Sequence, residues 1–308
     1  MKQTSSITLL ISLILLLNSY SYSIENKILL KINNKIITSF DLYNEIKILK
    51  LLNNNISDLS EDKIIKIASK SLTKQAIKEL ELSKYSKNLE LPKEYLNSYL
   101  LNYAKKLNFN TKEDFLEYFE KNMIDTDALK KKITIDLLWN QFVYARFLKN
   151  VKIDENKIRE EISKKKFINE YLLSEIVFNV ESKNDIKIIF DSIKESIKKD
   201  GFNKTALTYS TSSTSQNGGN LGWIKETSLS ETVRKILKDI NIDQFTKPIQ
   251  IPGGFLILYV QNIKKIKSNL DINKETENIV KLKTNKQLDQ FSNIYFNKIK
   301  KNFIINEF

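Results

Sequence analysis

The chain has 308 residues, 50 Lys+Arg against 37 Asp+Glu for a net charge of +13, and neither cysteine nor histidine. The two zeros exclude disulfides, thiol and imidazole nucleophiles, imidazole general bases and zinc sites built from Cys or His. At 41% hydrophobic the composition is that of a globular protein, and the length allows one large domain or two modest ones.

Met1 to Ser23 has the three parts of a secretory signal: Lys2, an apolar stretch from Ile7 to Leu17, and small residues at Ser21 and Ser23 ahead of a cut before Ile24. The apolar stretch is shorter than the roughly 20 residues a membrane span needs. The reading is therefore export, with no integral membrane segment after cleavage. Lys27 to Thr38 alternates around Asn33-Asn34 as a hairpin does, and Ser39 is placed to cap the helix that follows. Asp58 to Glu61 resembles a capping box ahead of Ile64, Ile67, Ala68, Leu72, Ala76 and Leu80 at helical spacing. Pro92 opens a further helix, Thr111 caps a short one, a long helix runs from Leu129 to Leu148, and Asp154 starts another.

From Tyr171 the pattern changes. All six glycines lie between Gly201 and Gly254, so tight turns and strands belong there and helices elsewhere. Tyr171–Val180 reads as a strand, Asp185–Lys199 and Phe202–Tyr209 as helices, Ser210–Gly219 as a polar loop and Leu221–Ile224 as a strand. A helical turn at Ser230–Leu237 and strands at Phe245–Gln250 and Phe255–Ile263 complete a β-α-α-β-α-β-β order. A long helix through Ile279, Leu288 and Ile299 then leads to a last strand, Phe303–Ile305. The fold class is α+β: a helical module with a short N-terminal hairpin, plus a small sheet domain.

Asn217-Gly-Gly-Asn-Leu-Gly-Trp223, Thr246-Lys-Pro-Ile249, Gly253-Gly-Phe255 and Ile257-Leu-Tyr-Val260 resemble the parvulin peptidyl-prolyl isomerase domain. The hairpin Ile32-Asn-Asn-Lys-Ile-Ile-Thr38, the helix from Phe40, Leu72–Leu82 and Leu129–Leu148 resemble the helical module of SurA-type periplasmic chaperones. That resemblance implies a signal peptide at 1–23, a chaperone module at 24–167, a single parvulin-like domain at 168–266, and a C-terminal helix and strand at 267–308 that return to complete the module. It implies unfolded outer-membrane or exported polypeptides as partners, a periplasmic location and no cofactor. An exported protein with only three arginines (Arg146, Arg159, Arg234) is not read as a nucleic-acid binder.

The catalytic pattern departs from the family. Glu175 stands where parvulins carry a first His, Leu256 where they carry a second, and Ser212 where they carry Asp or Cys. Leu221 matches the residue lining the proline pocket, and Val233 replaces its Phe. Trp223 and Phe255 are candidates for a peptide groove, with core packing as the simpler expectation. Glu175 either bonds Ser212 or Thr211, or faces solvent at a sheet edge, and the solvated position is the simpler expectation. Prolyl isomerisation needs no nucleophile or metal, only an apolar pocket that favours the twisted amide. The site is therefore expected to be degenerate but not chemically impossible; a working isomerase or a secretion foldase is the alternative. Among Tyr95, Tyr99, Tyr103, Phe115, Tyr118 and Phe119, more aromatics are present than one helix face needs, and some are candidates for client contact.

Overall fold

The computed structural model describes residues 26–164, 167–180, 182, 184–267 and 271–308. The export signal read at 1–23 lies outside the described residues. Strands β1 (Ile28–Ile32) and β2 (Lys35–Thr38) pair antiparallel about Asn33-Asn34. Asn33 adopts φ +51°, the left-handed conformation that Asn tolerates better than most residues. The first helix, α1 (Ser39–Leu52), is capped by Thr38 rather than Ser39. The Thr38 hydroxyl accepts from the Asp41 N–H, and the Asp41 carboxylate accepts from the Thr38 N–H.

Six more helices follow: α2 (Asn54–Ser57), α3 (Glu61–Leu82), α4 (Lys93–Lys106), α5 (Lys112–Lys121), α6 (Thr126–Phe147) and α7 (Glu155–Ser163). The capping box expected at Asp58–Glu61 does not form; α3 starts one residue after Ser60, which makes no side-chain cap bond. The terminal helix α11 (Ile272–Lys300) returns against α3 and α6, and the three enclose Ile32, Ile77, Ile135, Trp139 and Leu288. Trp139 satisfies its indole N–H on Ser292 Oγ at 2.8 Å, as a buried Trp must. The last strand, β8 (Ile305–Glu307), lies further along than Phe303–Ile305, because the Phe303 side chain is drawn into this core. It pairs antiparallel with β1, giving a sheet of order β2-β1-β8 built from both ends of the described chain.

The glycine-bearing region forms a second sheet. Its elements are β3 (Phe167–Phe178), α8 (Asp185–Asp200), α9 (Phe202–Tyr209), β4 (Asn220–Lys225), α10 (Glu231–Leu237), β5 (Gln244–Phe245), β6 (Ile249–Ile251) and β7 (Gly254–Lys267). The strand order is β4-β3-β7-β5, with β6 also on β7. The single strand expected over Phe245–Gln250 is split in two about Pro248, which has no N–H to give a ladder. The α+β class stands, and the two parts share a core. Leu207 of α9 is buried with Leu49, Ile56, Leu59 and Ile64 of the helical part. Ion pairs reinforce the contact at Lys204–Asp58 (3.1 Å), Arg234–Glu161 (2.5 Å) and Lys225–Glu275 (2.7 Å). The sheet region is therefore built into the helical module, not tethered beside it.

Candidate functional site

Strand β3 is interior to its sheet, between β4 and β7. Both of its faces are apolar: Tyr171, Leu173 and Val177 pack on one side, Ile176 and Phe178 on the other. Glu175 is in phase with Leu173 and Val177, so its carboxylate enters the first of these faces. It is 6% exposed, which corrects the expectation of a solvated residue at a sheet edge.

A buried carboxylate needs partners, and the Ser210–Gly219 segment brings them. Glu175 Oε1 accepts from Ser212 Oγ at 2.6 Å and from Thr214 Oγ1 at 3.1 Å. Ser212 also caps a short 3-10 turn, Ser213–Asn217, by accepting from the Thr214 N–H. Behind them, the Ser210 hydroxyl accepts from the Val177 and Ser212 N–H groups. Thr211 N–H donates to the Val177 carbonyl at 2.7 Å, so the polar loop is stitched to β3 on its backbone as well. Gly219 closes the segment: its carbonyl accepts the Glu175 N–H at 2.8 Å.

The other sequence candidates divide. Leu221, Val233 and Leu256 lie together with Leu173, Leu258 and Val260 in one apolar cluster on the Glu175 face. Val233 and Leu256 are buried there, at 7% and 1% exposure, so both are core residues. Phe255 alternates to the opposite face, stacked on Phe178 with centroids 5.6 Å apart, and joins Ile176 and Phe202. Trp223 is exposed; the Lys264 ammonium sits 3.9 Å from its ring centroid and pairs with Glu170 at 2.9 Å. The structure thus unites Glu175, Ser212, Leu221, Val233 and Leu256, and leaves Trp223 and Phe255 outside that group.

Three residues were not singled out from sequence. Thr214 was one hydroxyl among many in a Ser/Thr-rich loop. Asp289 of α11 is far from the loop in sequence, yet its carboxylate accepts from Ser213 Oγ at 3.3 Å. Burial pushes the Asp289 carboxyl up from its ordinary value, and the Glu175 charge adds to this. Lys74 of α3 lies in the same region, and burial pushes its ammonium down to about 8, with Lys78 adding to the effect. No spacing pattern connects α3, α11 and the loop, so only the fold reveals this grouping.

Lys74 has a consequence for stability. An unfolded lysine keeps its proton to about pH 10.4. Between about pH 8 and pH 10 the unfolded chain therefore binds more protons than the folded one, and stability rises with pH across that window. Lys74→Met is expected to raise stability at pH 7 by about 1–2 kcal/mol and to flatten the rise. Urea unfolding at pH 7, 8.5 and 10 checks both effects.

The aromatic series of the helical part also divides. Phe115 and Phe119 are core residues, whereas Tyr95, Tyr99 and Tyr118 are exposed. Tyr99 and Tyr103 stack with centroids 6.1 Å apart. Among the described residues no helix is long and apolar enough to cross a membrane.

Comparison with known proteins finds likenesses in sequence. Residues 173–262 match the family described as Rotamase, PPIC-type PPIASE domain. A protein described as Chaperone SurA from Hydrogenovibrio crunogenus is 22% identical over 260 residues, covering 80% of this chain and 56% of its own length. Chaperone SurA of Pseudomonas putida is 22% identical over 165 residues, covering 48% of this chain and 38% of its own. The chain thus spans about half the length, or less, of these relatives. A solved PpiC-type peptidyl-prolyl cis-trans isomerase domain is 32% identical, covering 31% of this chain and 92% of that one, with a TM-score of 0.27. On the sequence matches, the chain is similar to SurA chaperones and carries a parvulin domain of the PPIC type at residues 173–262.

Proposed function

We propose that this protein is an exported, periplasmic chaperone that holds unfolded polypeptides, outer-membrane proteins among them, and that its parvulin-like domain is a weak isomerase or none. The observation that carries the second half is the state of Glu175. Its carboxylate is buried and consumed by Ser212 and Thr214, at the position where the family has a histidine. Val233 and Leu256 close the adjoining surface as core. The first half is supported by the SurA relatives and by the exposed tyrosines of α4 and α5. Tyrosine offers large, half-polar contact area at low entropic cost, which suits many unrelated clients.

Suppression of aggregation of an unfolded β-barrel protein tests the chaperone reading. The intact chain is expected to protect at near-stoichiometric amounts. Replacing Tyr95, Tyr99 and Tyr118 together by Ser is expected to lower the protection several-fold; because Tyr99 stacks on Tyr103 and Tyr118 packs on Phe109 and Phe119, the melting temperature is measured alongside and protection is compared where the variant is folded. Full protection by the triple variant would move client contact elsewhere. The match to the PPIC family favours a second reading, an active prolyl isomerase, and a proline-exchange assay separates the two.

A further inference from the structure

The segment from Ser210 to Asn217 bonds to both parts of the molecule. To the sheet it gives the Ser212 and Thr214 hydroxyls, which donate to the Glu175 carboxylate, and the Thr211 N–H, which donates to the Val177 carbonyl. It is also met by three side chains from outside the parvulin-like domain. The Asp289 carboxylate of α11 accepts from Ser213 Oγ at 3.3 Å. Asn53, between α1 and α2, donates from Nδ2 to the Gln216 carbonyl at 2.6 Å. Lys70 of α3 donates from Nζ to the Ser210 carbonyl at 3.0 Å. The segment begins where α9 ends, and α9 is itself seated in the helical part through Leu207, buried with Leu49, Ile56 and Ile64. Side chains from the α1–α2 junction, α3 and α11 thus converge on one short turn.

We infer that the polar site of the parvulin-like domain is a composite of the two parts. The domain supplies Glu175, Ser212 and Thr214; Asn53, Lys70 and Asp289 of the helical part are positioning residues that set where the two hydroxyls stand. Chain connectivity carries the effect. Ser213, tied to α11, lies between the two residues tied to β3, and a 3-10 turn cannot move its first residues independently. Gln216, tied to Asn53, lies near the other end of the same turn, two residues before the Gly218-Gly219 pair that leads into β4. The turn's own bonds are few and local: Ser215 N–H to the Ser212 carbonyl at 3.2 Å and Gly219 N–H to the Thr214 carbonyl at 3.0 Å. Such a segment opens easily unless something outside it gives support. Each of the three outside bonds contributes little alone, but ordering the one turn satisfies all three. Asn53 does so with a side chain already fixed, because its Oδ1 caps α2 by accepting from the Asn55 N–H. A shift of α11 or of the α1–α2 junction against the sheet would therefore draw Ser212 and Thr214 away from Glu175.

The inference depends on neither client binding nor catalysis, because it is read from amide exchange and from one carboxyl resonance of the intact chain. Asn53→Asp keeps the acceptor that caps α2 but cannot donate to Gln216. Asp289→Leu removes the acceptor for Ser213 at similar size, whereas Asp289→Asn keeps one. In the double variant Asn53→Asp, Asp289→Leu, hydrogen exchange at the Thr211 and Gly219 amides is expected to quicken about tenfold. The amides of the β3–β7 ladder are expected to keep their rates. The Glu175 carboxyl carbon resonance is expected to move in the same variant. Adding Lys70→Met is expected to quicken exchange at Thr211 a further few-fold, about the effect of one more surface bond. Asp289→Asn alone is expected to leave both readouts as they are in the unmodified chain. Unchanged exchange at Thr211 and Gly219 in the triple variant overturns the inference, since the domain then holds its turn unaided. Equal quickening along the β3–β7 ladder, or loss of the fold, overturns it as well, because the three residues then support the whole molecule and not the turn. A Glu175 resonance that stays in place while the turn loosens overturns the link to the carboxylate. If Asp289→Asn disturbs the turn as much as Asp289→Leu, the Ser213 bond is not what acts, and Asp289 loses its place in the set.

Discussion

Gly219→Ala is expected to cost about 3–5 kcal/mol and to leave the sheet region molten at temperatures where the unmodified chain is folded. The reason is a close approach of backbone to backbone. A Cβ at position 219 would sit 2.1 Å from the Glu175 carbonyl oxygen and 3.1 Å from its carbon, with no flexible side chain able to give way. Gly219 also has φ +76°, a conformation that costs an L-residue about 1–2 kcal/mol by itself. Relief requires β4 to move off β3, which breaks the Glu175 N–H bond to Gly219 and pulls Ser212 and Thr214 away from the carboxylate. Gly222 provides the control. Its φ is +71°, but nothing lies within 4 Å of the added carbon. Gly222→Ala is therefore expected to cost only about 1 kcal/mol, the conformational term alone. Urea unfolding of the two variants gives the comparison. Similar losses for both would mean that the strand pair tolerates separation and that Glu175 is not held by it.

The same contact shows what the sequence made legible. The hairpin, the amphipathic helices and the glycine-marked sheet region were readable because hydrophobic period and turn residues are local signals. The strand Tyr171 to Phe178 carried a further signal. It is apolar at both odd and even positions apart from Ser174 and Glu175, the pattern of a strand covered on both faces. A carboxylate in phase with Leu173 and Val177 on such a strand cannot reach solvent, so the burial of Glu175 was inferable. The ends of β3 and β7 were not. Phe167–Glu170 and Lys264–Lys267 are rich in polar residues and pair with each other beyond the sheet's apolar centre. The approach of Asp289 to Ser213 and to Lys74 depends on how α3 and α11 dock, which no local pattern encodes. The spacing of the parvulin-like motifs located Glu175, Ser212 and Leu256, but not the buried state of Leu256.

That buried state determines the result expected from an isomerase assay. The unmodified protein is expected to speed Xaa-Pro exchange in a short peptide by less than about tenfold at micromolar concentration, a barrier reduction below about 1.4 kcal/mol. Uncatalysed exchange takes tens to hundreds of seconds, so this is easily measured. Placing histidine at both family positions would not restore a site. Leu256 is 1% exposed among Val177, Ile249, Val233 and Leu258, and an imidazole there would be a buried polar ring with no partner in view. Leu256→His is expected to cost about 2–4 kcal/mol, from lost apolar burial and an unsatisfied ring nitrogen. Glu175→His is the informative change. It keeps polar contact with Ser212 and Thr214, since a neutral imidazole donates through one nitrogen and accepts through the other. It also removes a buried charge from beside the apolar cluster. Catalysis is expected to rise several-fold in Glu175→His and to be lost with the fold in Leu256→His, while aggregation suppression is unaffected in Glu175→His. If the unmodified protein instead turns over prolyl peptides far faster than this, and Glu175→His lowers the rate, the carboxylate with its two hydroxyl donors is itself the working group. The domain would then be an isomerase whose network runs on Glu175 and Ser212 in place of histidine.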